Sequence, residues 1–206
     1  MKSKSLGRGL AVSLAALTLG LAAGAQAQMG AMGAMNAEHT KMVGGAAMYP
    51  SRNIIQNAVN SKDHTTLAAA VKAAGLVDTL ETSGPFTVFA PSNAAFAKLP
   101  ASAVAALLKP ENKGQLTAVL TYHVVAGRLT AADLLAKVRN GGGHATIRTV
   151  EGEPLTVTAH GGHITLTDVK GRASHVTVGD VMQSNGVIHV VDTVMLPAGY
   201  GRRVLP

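Results

Sequence analysis

Two hydrophobic periods divide the chain. Apolar residues recur at helical spacing up to about residue 138, and alternate with polar ones from Asn140 onward. Ile54, Ile55, Ala58 and Val59 share one face, which predicts a helix from Asn53. Thr65 or Thr66 starts a second helix with Leu67, Ala70, Val71 and Ala74 on one side and Gly75 at its end. Leu76, Val77 and Leu80 lead on toward a strand. Pro100-Ala101-Ser102 opens a short helix through Leu108, and Asn112 to Val125 reads as a longer one with Leu116, Val119 and Leu120 inward. Thr130-Ala131-Ala132-Asp133 is a capping sequence for a helix that turns Leu134, Leu135 and Val138 inward.

One stretch interrupts the helical half. Gly84-Pro85 is a breaker, and Phe86 to Phe89 is short, aromatic and β-branched, which predicts a buried strand. Pro91 ends its ladder because proline has no N–H to donate. Ser92 or Asn93 caps the helix that follows. Phe86, Phe89 and Phe96 are the only phenylalanines and there is no tryptophan, so this stretch belongs at the centre of the core. In the period-two half, His144 to Val150, Leu155 to Ala159, His163 to Thr167 and His175 to Val178 are separated by glycine-bearing turns, the pattern of an antiparallel meander. Val187 to Leu196 is apolar on both faces and predicts a central strand. Helices followed by strands make the fold class α+β.

Three of these stretches resemble the motifs of the fasciclin family. Thr87-Val88-Phe89-Ala90-Pro91-Ser92-Asn93-Ala94-Ala95-Phe96 is similar to its first signature, and Tyr122-His123-Val124-Val125 to its central Tyr-His motif. The run Asn185-Gly186-Val187-Ile188-His189-Val190-Val191-Asp192-Thr193-Val194-Met195-Leu196-Pro197 is similar to its second signature. The resemblance spans residues 53–197. It implies a wedge-shaped antiparallel β-sandwich with helices packed along one edge, occupying residues 50–198, with the two signature strands close together in the core. It also implies a secreted or surface module for cell adhesion or extracellular protein or matrix interaction, and not an enzyme. The Tyr-His region is implicated in integrin binding by animal members, which makes Tyr122 and His123 candidate interaction residues. Read from its apolar setting alone, His123 is a core histidine with both ring nitrogens committed to hydrogen bonds. Some members are thought to bind carotenoids, so a carrier of a small hydrophobic ligand is an alternative.

The termini add a compartment and a second chemistry. Lys2, Lys4 and Arg8 precede an apolar run from Leu10 to Leu21, too short for a stable membrane anchor, and Ala25-Gln26-Ala27 is a small-x-small cleavage site. Residues 1–27 therefore read as a secretory signal peptide, and the product as periplasmic, surface-bound or extracellular. No second apolar run is long enough to span a membrane. With no cysteine, no disulfide staples the chain, so its core alone must stabilise it. Residues 28–49 are rich in Met, Gly and Ala and read as a flexible tail; residues 199–206 read as a loose basic one. Met29, Met32, Met35, Met42 and Met48 with His39 also form a candidate Cu(I) site, because thioether sulfur is a soft ligand. A periplasmic copper-binding protein is thus a further alternative.

Charge and motif content exclude more than they suggest. The net charge is +7, but three of the positives lie in the signal and the rest are scattered, which argues against nucleic acid as a partner. An extracellular or cell-surface protein or glycan suits the chain better. His144, His160, His163 and His175 lack acidic companions at ligand spacing, so no zinc site is expected. No catalytic serine elbow, phosphate loop, dinucleotide fingerprint or His-Glu-x-x-His occurs.

Overall fold

In the computed structural model, residues 40–82 and 84–201 are described. Their β-branched runs build one seven-stranded sheet in the order β4-β3-β9-β8-β7-β6-β5. At its heart the first-signature strand β3 (Phe86–Pro91) lies beside the last strand β9 (Gly186–Val191). The pair is parallel, in register from Phe86 opposite Gly186 to Pro91 opposite Val191. All other pairs in the sheet are antiparallel, the meander included, so the sheet is mixed only at this pair, where the resemblance implies an antiparallel sandwich. A parallel pair needs a long crossover, and here the crossover is most of the domain. Gly186 permits the pairing: a Cβ there would lie 2.1 Å from the Phe86 carbonyl oxygen.

The strand β8 (Ala173–Gln183) joins the two halves of the sheet. Its first residues pair with β7 (His163–Thr167) and its later ones with β9, with register breaks between Val176 and Val178 and between Val178 and Val181. Bulges of this kind bend a strand. The meander β5 (His144–Arg148), β6 (Pro154–His160) and β7 thereby faces β3, β9 and β4 (Val124–Ala126). Phe89, Val125 and Val191 from one side meet Leu155, Val157 and Leu166 from the other in one buried cluster. That is the sandwich core.

The opposite face of β3 and β9 carries the helices α1 (Ile54–Ala58), α2 (Thr65–Ala74), α3 (Val77–Glu81) and α6 (Lys113–Tyr122), with α4 (Asn93–Ala97) and α5 (Ala101–Leu107) between. Ile54, Leu67, Val71 and Leu120 pack there with Val88, Ala90, Ile188 and Val190 in a second cluster. Each central strand thus spends alternate residues on different cores, which is why both its faces are apolar. Asn53 and Gln56 form a capping box on α1, Ser92 accepts the Ala95 N–H, and Thr130 with Asp133 caps α7 (Ala131–Asn140). Asn93 does not cap: it accepts from Thr66 N and donates to the Lys62 carbonyl, tying α4 to the start of α2.

Several expected boundaries move. The helix predicted to run to Val125 stops at Tyr122, because Val124 and Val125 pair with β3 instead. Residues 77–81 are helical rather than an approach to a strand, and Val59 follows the end of α1 and is 47% exposed. The last strand ends at Val191, although Val194, Met195 and Leu196 beyond it are still buried. The folded domain begins before residue 50. β1 (Lys41–Val43) and β2 (Ala46–Met48) form a hairpin across Gly44 and Gly45, both at positive φ as a two-residue turn requires. Val43 and Met48 bury their side chains, so this end of the presumed flexible tail is part of the core. At the other end Tyr200 packs against the helix-side cluster, and Lys170 donates to its carbonyl at 2.6 Å.

Candidate functional site

The Tyr-His motif sits where α6 hands over to β4, and neither side chain reaches solvent: Tyr122 is 0% and His123 2% exposed. A carbonyl can only accept, so His123 Nδ1 donates to Val119 O at 2.8 Å. Its Nε2 therefore carries the lone pair and accepts from Met195 N at 3.0 Å. Burial holds the imidazole neutral and drops its pKa to about 4. The Tyr122 hydroxyl donates to Pro154 O at 3.0 Å and accepts from Val169 N at 3.2 Å. Burial pushes its pKa up to about 12. Both side chains are buried and spend their polar atoms on backbone groups, the arrangement that the apolar setting of His123 predicts.

His189 of the second signature behaves the same way. Its Nε2 donates to Leu129 O at 2.8 Å and its Nδ1 accepts from Asp180 N at 3.3 Å. The ring stacks on Phe89, centroids 5.6 Å apart.

A cavity of about 70 Å³ opens above this region, between α1, α2, α3 and β3. Ile54, Leu67, Val71, Val88 and Leu120 are among its walls, and Val59 and Lys72 stand toward solvent. The lining is almost wholly apolar, so the space suits a hydrophobic group and offers water no partners. It suits a small apolar group, while two wider clefts of about 660 and 500 Å³ lie beside Tyr200.

The family model "Fasciclin domain" matches residues 62–197, over the strands and turns just described. The chain belongs to the fasciclin family. It is 43% identical over 185 residues to Protein sll1483 of Synechocystis sp. (strain ATCC 27184 / PCC 6803 / Kazusa), covering 90% of this chain and 93% of that one. It is 39% identical to Immunogenic protein MPB70 of Mycobacterium bovis over 145 residues, 68% of this chain and 66% of that one. Among solved structures, a FAS1 domain pair from the insect cell adhesion molecule Fasciclin I aligns with a TM-score of 0.65 at 20% identity. That alignment covers 72% of this chain and 52% of the insect chain, and at such identity it speaks for the fold.

The remaining candidate residues of this fasciclin domain do not converge. Met29, Met32, Met35 and His39 lie outside the described residues, as does the predicted signal peptide. Met42 is 64% exposed on the hairpin, whereas Met48 of the same hairpin is 2% exposed. The two cannot serve together as ligands on a flexible tail. His160 and His163 face each other across the β6–β7 turn, while His144 lies opposite Thr158 and His175 pairs with Asp192. Among the described residues no three His, Cys, Asp or Glu side chains gather as a metal would need, and no helix is long and apolar enough to cross a membrane.

Two buried polar residues matter more to the fold than the periodicity suggests. Asn185 accepts from Ile54 N and donates to the Leu80 and Thr82 carbonyls, so one amide locks α1 and α3 to the β8–β9 turn. Asp168 accepts from Lys170 N, Arg172 N and Leu196 N and so closes the β7–β8 loop onto the C-terminal run. The turn signal Asp168-x-x-Gly171 marks the loop. Nothing in the sequence around Asn185 reveals its partners more than a hundred residues away.

Proposed function

We propose that this protein is a secreted or surface fasciclin module that acts without catalysis, binding an extracellular or cell-surface protein or glycan. The observation that carries the reading is the commitment of every motif side chain to the fold. Tyr122, His123, Asn185 and His189 each hold backbone groups. What these bonds leave uncommitted is the outer surface of loops and strands, and such surfaces carry recognition. The insect molecule that shares the fold, Fasciclin I, is a cell adhesion molecule, which fits. The test is binding of the folded, signal-free protein to cells, matrix proteins and glycans on a surface. Saturable binding that disappears when the protein is unfolded supports the reading; indifference of the signal to unfolding, or no binding, overturns it.

The apolar cavity favours one second reading, a carrier of a small hydrophobic ligand such as a carotenoid. The cavity has about half the volume of one that admits benzene (about 150 Å³). A long polyene would therefore have to part α1 from α2. An absorption band that copurifies with the protein and vanishes in Val71→Phe, which fills the cavity, would support it. A colourless preparation from a pigmented host would remove it.

A further inference from the structure

The two wider clefts share Tyr200, which follows the last strand. One, about 660 Å³, lies between the start of α6 and the run from Pro197 to Tyr200. The other, about 500 Å³, lies between α5 and the same tyrosine. Each falls in the size range of ligand sites (about 300–1,000 Å³). Asn112, Gln115 and Tyr200 line both, so the clefts have a wall in common. Helical spacing leaves the room. Gln115 and Ala118 stand three residues apart on one face of α6, and Ala103 and Ala106 do the same on α5. Alanines there fill little of the space between the helices and the C-terminal run.

The polar groups of these walls have capacity to spare. Asn112 donates to the Ala106 carbonyl at 2.8 Å, which fixes its amide and leaves its oxygen as an acceptor. Glu151 is held in place by accepting from Glu153 N at 3.1 Å. Glu111 has no ion-pair partner among the described residues. Gln115 Oε1 is buried without a hydrogen-bond partner. A half turn of that amide exchanges its ends, and either way one buried polar atom goes unmet, at a cost that a bound hydroxyl would relieve.

Tyr200 supplies an apolar surface beside them. It is half-buried, and its N–H donates to the Pro197 carbonyl at 3.1 Å. Lys170 donates to its carbonyl and stands 5.6 Å from the ring centroid, so the ring is held in place. Arg172, also beside Tyr200, pairs with Asp168. The lining of the two clefts holds two carboxylates and no cation.

A sugar ring asks for these parts together. Its C–H face packs on an aromatic ring, and its hydroxyls both donate and accept, as planar amides and carboxylates require. Carboxylates without cations turn away uronate and sulfate. We propose that the clefts beside Tyr200 bind a neutral oligosaccharide, with one pyranose ring on Tyr200 and its hydroxyls on Asn112, Gln115, Glu111 and Glu151. The site rests on the binding reading above and narrows its partner to a glycan.

The test is an NMR titration of the isotope-labelled, signal-free protein with maltotriose, mannotriose and chitotriose, with trigalacturonate and trilysine as charged counterparts. We expect at least one neutral trisaccharide to shift the Gln115 side-chain amide and the backbone amides of Gly114 and Gly199 saturably, and the charged probes to leave them in place. Tyr200→Ala should weaken that binding about tenfold. Tyr200 also packs on the helix-side cluster, so Gln115→Ala is the second variant. It removes an unmet polar atom and should melt no lower than the parent, while binding weakens about threefold or more. Four results overturn the proposal: no shift with any neutral sugar, shifts confined to other surfaces, equal binding of a charged probe, or an affinity that ignores both variants. Binding to cells or matrix that persists while no trisaccharide binds leaves the adhesive reading standing and removes this site alone.

Discussion

The two faces of the β3–β9 pair solve the same burial problem differently. On the sandwich side the polar groups of Tyr122 and His189 are satisfied among buried aliphatic and aromatic side chains. On the helix side the packing leaves an apolar cavity of about 70 Å³, with His123 in its wall. A sheet buries its faces through strands whose register is set by the ladder. Short helices such as α1 and α3, five residues each, meet it at angles the ladder does not set. Space for a ligand is therefore more readily left on the helix side.

The largest effect should come from hollowing each face in turn. Phe89, 0% exposed, points into the sandwich core and stacks on His189. Phe89→Ala should lose about 3–5 kcal/mol of stability in denaturant melts. Val190, one strand over, points to the helices. Val190→Ala removes less volume and sits in the looser cluster, so it should lose about 2 kcal/mol. If the two melts move equally, the contrast between the faces is lost.

Acid should act through the buried histidines of both faces. His123 has a folded pKa of about 4, below the ordinary value of 6.5, and those of His189 and His64 are also lowered by burial. The unfolded chain therefore takes up these protons first. The stability that neutral His123 contributes is complete above about pH 6.5, is lost as pH falls toward 4, and levels off below. A shift from 6.5 to about 4 corresponds to roughly 3 kcal/mol. Midpoints of urea unfolding at pH 7, 5.5 and 4.5 would show it. In His123→Gln the drop between pH 7 and 4.5 should shrink, even though the variant starts from a lower stability at pH 7. An unchanged drop would move the acid sensitivity elsewhere.

Filling should separate the faces by sign. Val71→Ile adds one methylene against the helix-side cavity and should stabilise by about 0.5–1 kcal/mol, as cavity filling commonly does. Val157→Ile adds the same methylene to the sandwich core, where Val157 is 0% exposed, and should destabilise by about 1–3 kcal/mol. Two destabilisations would mean that the cavity is closed by adjustment of α1 and α2.

The legibility of the chain follows the same divide. Periodicity placed the meander strands and the helices α1, α2 and α7 close to where they lie, because each element has one buried face that its own side chains announce. The resemblance placed the two signature strands in one core, but their parallel pairing is a property of the crossover and leaves no local trace. The helix predicted through Val125 misread an apolar run whose last two residues are β-branched and belong to β4. The hairpin was hidden by composition: Gly44-Gly45 looks like linker, yet it is a two-residue turn between Val43 and Met48, which both reach the core. The Tyr-His motif lies in an apolar run, and its burial is what that setting predicts.

The most local effect tests whether satisfaction, rather than packing, defines the sandwich side. Tyr122→Phe keeps the ring and removes one oxygen that serves Pro154 O and Val169 N. Pro154 O begins β6 and Val169 lies in the β7–β8 loop, so the hydroxyl ties two turns of the meander to α6. Removing it leaves a carbonyl and an N–H to find water at the half-exposed loop, and the cost should be about 1 kcal/mol. Hydrogen exchange at Val169 should speed up while exchange in β3 and β9 holds its rate, because the loss is local. If exchange rises equally throughout β3 and β9, the hydroxyl supports the whole core, and the sandwich side is held by its hydrogen bonds as much as by its packing.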